Sequence, residues 1–179
     1  MARLTATQAG GQNVLAFLDM LAWSEGTSTV AESDDGYNVL VGGDLFDDYS
    51  AHPRQLIDLP RYDIQSTAAG RYQFLARTWD AIVELYKFRG RFTPEAQDLA
   101  AVKLLEECGA LAAIQAGQVA EAISAAAPIW ASLPGAGYGQ REHDLAALLR
   151  IYRQELASQS RDRDDLLAMF IACGGQVTA

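Results

Sequence analysis

The stretch Asn13-Val14-Leu15-Ala16-Phe17-Leu18-Asp19-Met20-Leu21-Ala22-Trp23-Ser24-Glu25-Gly26 carries the reading of the whole chain. Val14, Leu15, Phe17, Leu18, Leu21 and Ala22 recur at helical spacing, so one face of a helix is apolar and faces a core. Asn13 is a natural N-cap, and Gly26 a natural stop because glycine enters the left-handed region without steric cost. Glu25 is thereby placed at the end of a buried helix. The partial negative charge of a helix C-terminus disfavours a carboxylate, and Trp23 beside it limits hydration. Both effects raise a carboxyl pKa toward the range in which it is still protonated near neutrality. Such a group can donate a proton to a departing sugar oxygen. Taken alone, the same position also suits an ordinary solvated glutamate.

Outward from this helix, residues 1–12 are polar and glycine-containing and read as a flexible N-terminal arm, leaving 13–179 as one catalytic domain. Downstream, Tyr37 to Val41 and Asp44 to Phe46 are β-prone runs around Gly42-Gly43, which predicts a hairpin. Residues 50–70, with Pro53 and Pro60, read as a long irregular segment. Apolar periodicity then predicts helices over 71–86, from Pro94 to about Cys108, over 110–116, 118–126, 142–157 and 162–172, with Gly174-Gly175 ending the last. The charge run Arg161-Asp162-Arg163-Asp164-Asp165 reads as a solvated helix start. Helix, small β region, then helices is an α+β layout: a mostly helical lobe, a hairpin region and a cleft between them.

Composition excludes several classes. The chain of 179 residues carries 14 Lys and Arg against 23 Asp and Glu, a net charge of −9. That balance opposes nucleic-acid binding, which requires basic surface. No apolar run approaches the roughly 20 residues of a membrane span, so no stable membrane insertion is expected. The N-terminus lacks an apolar signal core, which predicts synthesis in the cytoplasm. Two histidines and two unclustered cysteines predict no metal; Cys108 and Cys173 read as buried free thiols, with a disulfide only if the fold brings them together. No organic cofactor is implied.

Glycosidases usually employ two carboxylates. Asp44, Asp47, Asp48, Asp58 and Asp63 are candidates for a second, whereas Asn38, at the most obvious strand position, is an amide. Gly70-Arg71-Tyr72-Gln73 offers a close backbone approach, a stacking face and an amide. The glycine-rich segment from Trp130 to Gln140 reads either as a structural turn or as a lip over a cleft.

Several blocks closely resemble the lambda-phage type endolysins. They are Phe17 to Thr27, Tyr37 to Phe46, Tyr49-Ser50 with His52-Pro53-Arg54, Ala69 to Gln73, and Ile129 to Gln140, all in the family's order. The resemblance implies a lysozyme-like fold and lytic transglycosylase activity on peptidoglycan glycan strands, with Glu25 in the place of the catalytic residue. It implies substrate contacts from Tyr37, Asn38, Gly70, Arg71, Tyr72, Gln73, Trp130, Ser132, Tyr138 and Gln140. It also implies a monomer, made in the host cytoplasm, that reaches the wall through holin lesions. A hydrolase with an aspartate as second carboxylate is the nearest alternative; a virion-associated or non-catalytic wall-binding module is another. Asn38 stands where the family pattern has aspartate, the C-terminal region is longer than usual, and the acidity is unlike the basic character common among phage lysozymes. Arg54, Arg61, Arg71 and Arg77 cluster in sequence and are expected to form a local cationic patch around the cleft.

Overall fold

The computed structural model describes residues 1–173. Its centre is a helix, α2 (Gln12–Ser24), preceded by a short α1 (Ala6–Ala9). α2 is apolar on nearly every side because it is surrounded: it packs against α1, α4 (Pro94–Glu107), α5 (Ala110–Gln115) and α7 (Leu145–Ala172). Val14, Ala16, Phe17, Leu18, Met20 and Leu21 are wholly buried. α3 (Ala76–Tyr86) and α6 (Val119–Ala126) complete the helices among the described residues. Thr93 caps α4 by accepting from the Ala96 N–H, with Pro94 at the first helical position, as the sequence predicts. The cap of α2 is Gly11 rather than Asn13, whose amide instead donates to the Gln115 carbonyl.

The sheet is a two-stranded antiparallel hairpin, β1 (Ile57–Leu59) and β2 (Ile64–Ser66), with Ile57 opposite Ser66 and Leu59 opposite Ile64. It lies inside the segment expected to be irregular. The chain expected as a hairpin over 37–46 does fold back, with the Leu40 N–H on the Asp44 carbonyl and the Phe46 N–H on the Asn38 carbonyl, but it forms a single bridge, Val39 to Leu45, and no named strand. On its other edge Val41 donates to the Ala68 carbonyl and Val39 accepts from the Gly70 N–H, so 39–41 is held between the two segments.

Three other expectations change. Residues 1–12 are docked, not a loose arm. Leu4 is buried, Thr5 and Gln8 form a capping box, the Ala2 N–H donates to Asp19, and the Arg3 and Leu4 N–H groups donate to Asp98. α3 begins at Ala76, not Arg71, because Gly70 and Gln73 both have positive φ (78° and 52°) in a tight turn closed by mutual hydrogen bonds between Ala69 and Phe74. The last two predicted helices are one, α7. Ser160 satisfies its hydroxyl on the Leu156 carbonyl within the helix, and Gln159 is buried with its amide on Asp19. The charge run therefore lies within a helix and does not open one, and Gly174-Gly175 lies outside the described residues. Cys108 and Cys173 are unpaired as expected but not buried: Cys108 is half-buried and Cys173 exposed.

Asp19 and Arg71 explain how a charged residue sits in the central helix. Arg71 is 1% exposed and its Nη2 lies 2.6 Å from Asp19 Oδ1; Asp19 is 4% exposed and also receives the Ala2 N–H and the Gln159 amide. Arg71→Met keeps the volume but strands the Asp19 charge, and is expected to cost about 3–5 kcal/mol. Urea unfolding followed by circular dichroism checks this, and a cost below about 1 kcal/mol would refute the account.

Candidate active site

Glu25 is the C-cap of α2, its N–H on the Leu21 carbonyl, and Gly26 in the left-handed conformation (φ 76°) turns the chain away. The carboxyl is left projecting from the end of the rod into a hollow of about 420 Å³. The opposite wall comes from the loop after α6. Trp130 is buried there with its indole N–H on the Tyr72 carbonyl, which fixes the position of Ser132 two residues on. The Ser132 hydroxyl lies 2.6 Å from Glu25 Oε1.

Burial pushes the Glu25 pKa up to about 7, against the opposing pull of the Ser132 hydrogen bonds. Among the described residues no cation lies within ion-pair distance of it. The hydroxyl arrangement suits a group that changes protonation state. Ser24 Oγ donates to the Leu21 carbonyl (2.8 Å) and lies 2.9 Å from Ser132 Oγ. With the Ser24 hydrogen so committed, that contact requires the hydrogen of Ser132. Ser132 can supply it only when Glu25 carries its own proton; when Glu25 is ionised, the Ser132 hydrogen turns to the carboxylate. Either state of Glu25 finds a partner by rotation of one hydroxyl.

His143 holds the loop against the helix end. Its N–H donates to the Ser132 carbonyl (2.9 Å), its Nε2 donates to the Ser24 carbonyl (3.1 Å), and its ring lies 4.6 Å from that of Trp23. The glycines of the loop are closed by Glu142, whose carboxylate accepts from the Gly135 and Gly137 N–H groups at 2.8 Å each.

Of the residues singled out from sequence, Glu25, Ser132 and Gln140 line the hollow together. Several others lie behind it, holding the scaffold. Tyr37 and Tyr72 are buried and both donate to Asp98 Oδ1, at 2.7 and 2.6 Å. Arg71 is sequestered by Asp19 and Asp35, so its guanidinium is not open to a ligand. Gly70 serves packing and not sugar approach: a Cβ there would meet Gln97 Oε1 at 2.2 Å. Gln73 donates to the Val39 and Gly70 carbonyls, and Asn38 accepts from the Asp34 N–H. Trp130 is a positioning residue, and Tyr138 is exposed on the lip with its hydroxyl on the Pro128 carbonyl. Gln97 and Asp98, which complete this scaffold, lie in α4 far along the chain and carry no motif.

Among the described residues, neither the expected cationic patch nor a second carboxylate forms in the hollow. Arg54 pairs with Asp80, Arg71 is buried, Arg77 borders a different depression, and Arg61 lies over the Tyr62 ring outside the lining. Asp44, Asp47 and Asp48 are exposed away from it, and Asp58 and Asp63 flank a shallow depression on the hairpin. The lining instead includes Tyr62, Arg141 and His143, which sequence reasoning missed. Only His143, three residues past the glycine-rich block, offered a signal.

A helical body, a small hairpin and a cleft with one protonatable carboxyl at a helix end define a lysozyme-like muralytic enzyme. The comparisons agree. The family model described as Endolysin matches residues 15–159. The chain is 49% identical over 142 residues to the endolysin of Escherichia phage lambda, covering 78% of this chain and 88% of that one. It is 45% identical over 152 residues to the endolysin of Escherichia phage P2, covering 79% and 92%. The solved structure of bacteriophage lambda lysozyme complexed with a chitohexasaccharide superposes with a TM-score of 0.75 at 44% identity, covering 87% of this chain and 97% of that one. The chain belongs to the endolysin family. No helix of the described residues is long and apolar enough to cross a membrane, and those residues hold no group of three His, Cys, Asp or Glu suited to a metal ion.

Two measurements test the site. Ser132→Ala removes a hydrogen bond that favours the ionised carboxyl, so the Glu25 pKa rises. The alkaline limb of the pH–rate profile, where the acid is lost, is expected to move upward by about one unit; a downward move would contradict the assignment. The second is linkage. The folded pKa of about 7 stands above the ordinary 4.5, so the folded state binds more protons between these values and stability falls as pH rises through that window. Glu25→Gln abolishes this loss. Its advantage over the unsubstituted chain should be near zero below pH 4.5 and approach ~3 kcal/mol above pH 7, read by urea unfolding across pH.

Proposed function

We propose that the chain is a lytic transglycosylase that cuts the β-1,4 bond between N-acetylmuramic acid and N-acetylglucosamine in peptidoglycan strands, with Glu25 as both acid and base. The observation that carries this is that, among the described residues, Glu25 is the one carboxyl lining the hollow. A hydrolase of the usual kind needs a second carboxylate to attack the anomeric carbon or to activate water; here one group takes both proton transfers.

In the first step protonated Glu25 gives its proton to the glycosidic oxygen, and the bond from that oxygen to the muramic anomeric carbon breaks with the electron pair leaving on oxygen. In the second the muramic C6 hydroxyl oxygen bonds to the anomeric carbon and its proton passes to Glu25. The products are a free glucosamine 4-hydroxyl and a 1,6-anhydromuramic end, no water is consumed, and Glu25 ends as it began. A pKa of about 7 suits a group that must give and regain a proton near neutrality. The Ser132 hydroxyl matches both states by donating or accepting, which limits reorganisation during the cycle. On this reading Gln140 donates its amide to sugar substituents, the exposed Tyr138 ring meets a sugar face at the lip, and Tyr37, Asn38, Gly70, Arg71, Tyr72, Gln73 and Trp130 act by holding the walls. The biological setting that accompanies it is host-cell lysis by a monomer made in the host cytoplasm and admitted to the wall through holin lesions.

Mass spectrometry of purified peptidoglycan digests tests the chemistry. The unsubstituted protein should release muropeptides with anhydro ends, lighter by one water than reducing ends, and Glu25→Gln should release none while still binding glycan. Reducing ends would overturn the transglycosylase reading in favour of hydrolysis, and release by Glu25→Gln would overturn the role of Glu25.

A further inference from the structure

Arg141 is the one arginine lining the hollow around Glu25, and among the described residues it has no carboxylate within ion-pair distance. Four of the chain's Lys and Arg side chains are claimed by acids among the described residues. Arg3 pairs with Asp34, Arg54 with Asp80, Arg71 with Asp19 and Asp35, and Lys103 with Glu106. Exposed Arg61, Arg77, Arg89 and Arg91 also lack an acid within ion-pair distance among the described residues, but none of them lines the hollow, so it is its place in the concave wall that sets Arg141 apart. Its sequence neighbour Glu142 is the obvious partner but is occupied by the Gly135 and Gly137 N–H groups. On the other side, His143 ties the segment to the end of α2. Arg141 is therefore exposed on an anchored loop, with the adjacent Glu142 committed elsewhere.

We infer that Arg141 is a specificity residue that binds a carboxylate of the wall polymer while Glu25 acts on the adjacent glycosidic bond. This rests on the reading of the substrate given above. A guanidinium forks onto a carboxylate through two parallel N–H donors and stays charged at every relevant pH. The problem it solves is electrostatic: a chain of net charge −9 repels a polyanion at long range. Screening confines that repulsion to about 8 Å at physiological salt, within which one local cation in a cleft dominates. The carboxylate has two sources on the muramic unit, the peptide stem or the lactyl group of stem-free strands.

The experiment compares the unsubstituted protein with Arg141→Gln and Arg141→Lys on three substrates. They are intact peptidoglycan, strands stripped of stems so that the lactyl carboxylate is free, and stripped strands whose carboxylates are converted to methylamides. Arg141→Gln should lose about five- to tenfold in kcat/KM on one or both carboxylate-bearing substrates, with the loss appearing mainly in KM and shrinking at high salt, and less than twofold on the methylamide strands. Arg141→Lys should recover part of the loss, since it keeps the charge and loses the fork. Loss on intact peptidoglycan alone locates the carboxylate on the stem; loss on stripped strands locates it on the lactyl group. An equal loss on all three substrates, or no loss on either charged one, overturns the assignment. Failure of the unsubstituted protein to generate anhydro ends would instead overturn the underlying reaction, so the two failures are distinct.

Discussion

Inside α2 the carboxylate of Asp19 accepts the Ala2 N–H, the Arg71 guanidinium and the Gln159 amide. Those donors come from the N-terminus, the turn before α3 and the middle of α7, the last of them 140 positions from Asp19. A buried charge is tolerable only when its partners are in place, so this one group requires all three segments to close on the central helix together. Arg71 extends the tie to Asp35, and its guanidinium lies 5.0 Å from the Tyr37 ring centroid. Tyr37 and Tyr72 in turn converge on Asp98 in α4. The residues nearest in kind to a glycan-binding set are therefore spent on holding the frame.

The two acids of α2 show how environment divides roles. Asp19 sits mid-helix with a cation against it, where its charge is matched. Glu25, six residues on at the helix end, has a serine hydroxyl against it and no cation within ion-pair distance among the described residues, so burial prevails and its proton is held to about pH 7. The mid-helix acid anchors the frame, and the frame in turn fixes the terminal acid. Trp130 reaches Tyr72 through its indole N–H, and Ser132 follows from that contact.

Much of this was legible in residue order. The spacing of Val14, Phe17, Leu18 and Leu21 marks the central helix, Gly26 marks its end, and Glu25 follows at its tip. Thr93-Pro94 marks the start of α4. The errors are of one kind. β-prone residues flanking two glycines predict the hairpin at Tyr37 to Phe46, and the chain does fold back there, but local sequence does not show that the opposite edge of 39–41 pairs with Ala68 and Gly70 or that the longer ladder forms at 57–66. The break expected in α7 vanished because buried Gln159 and the back-bonded Ser160 gained tertiary or helical partners. Gly70-Arg71-Tyr72-Gln73 has the residue types that suit sugar, yet the Arg71 guanidinium nitrogens Nη1 and Nη2, the Tyr72 hydroxyl and the Gln73 amide nitrogen are bonded within the protein.

Periodicity, caps and stops are local, so the order of residues alone determined the central helix, its terminus and the acid placed there. Occupancy is not local. Whether an arginine is free or claimed, and whether a tyrosine faces a cleft or a buried aspartate, depends on groups brought together across long stretches of chain, because a donor satisfied inside the fold is no longer available to a ligand. Only the tertiary structure decided that Arg71 is locked and Arg141 open, and that Ser132 rather than an aspartate stands against Glu25.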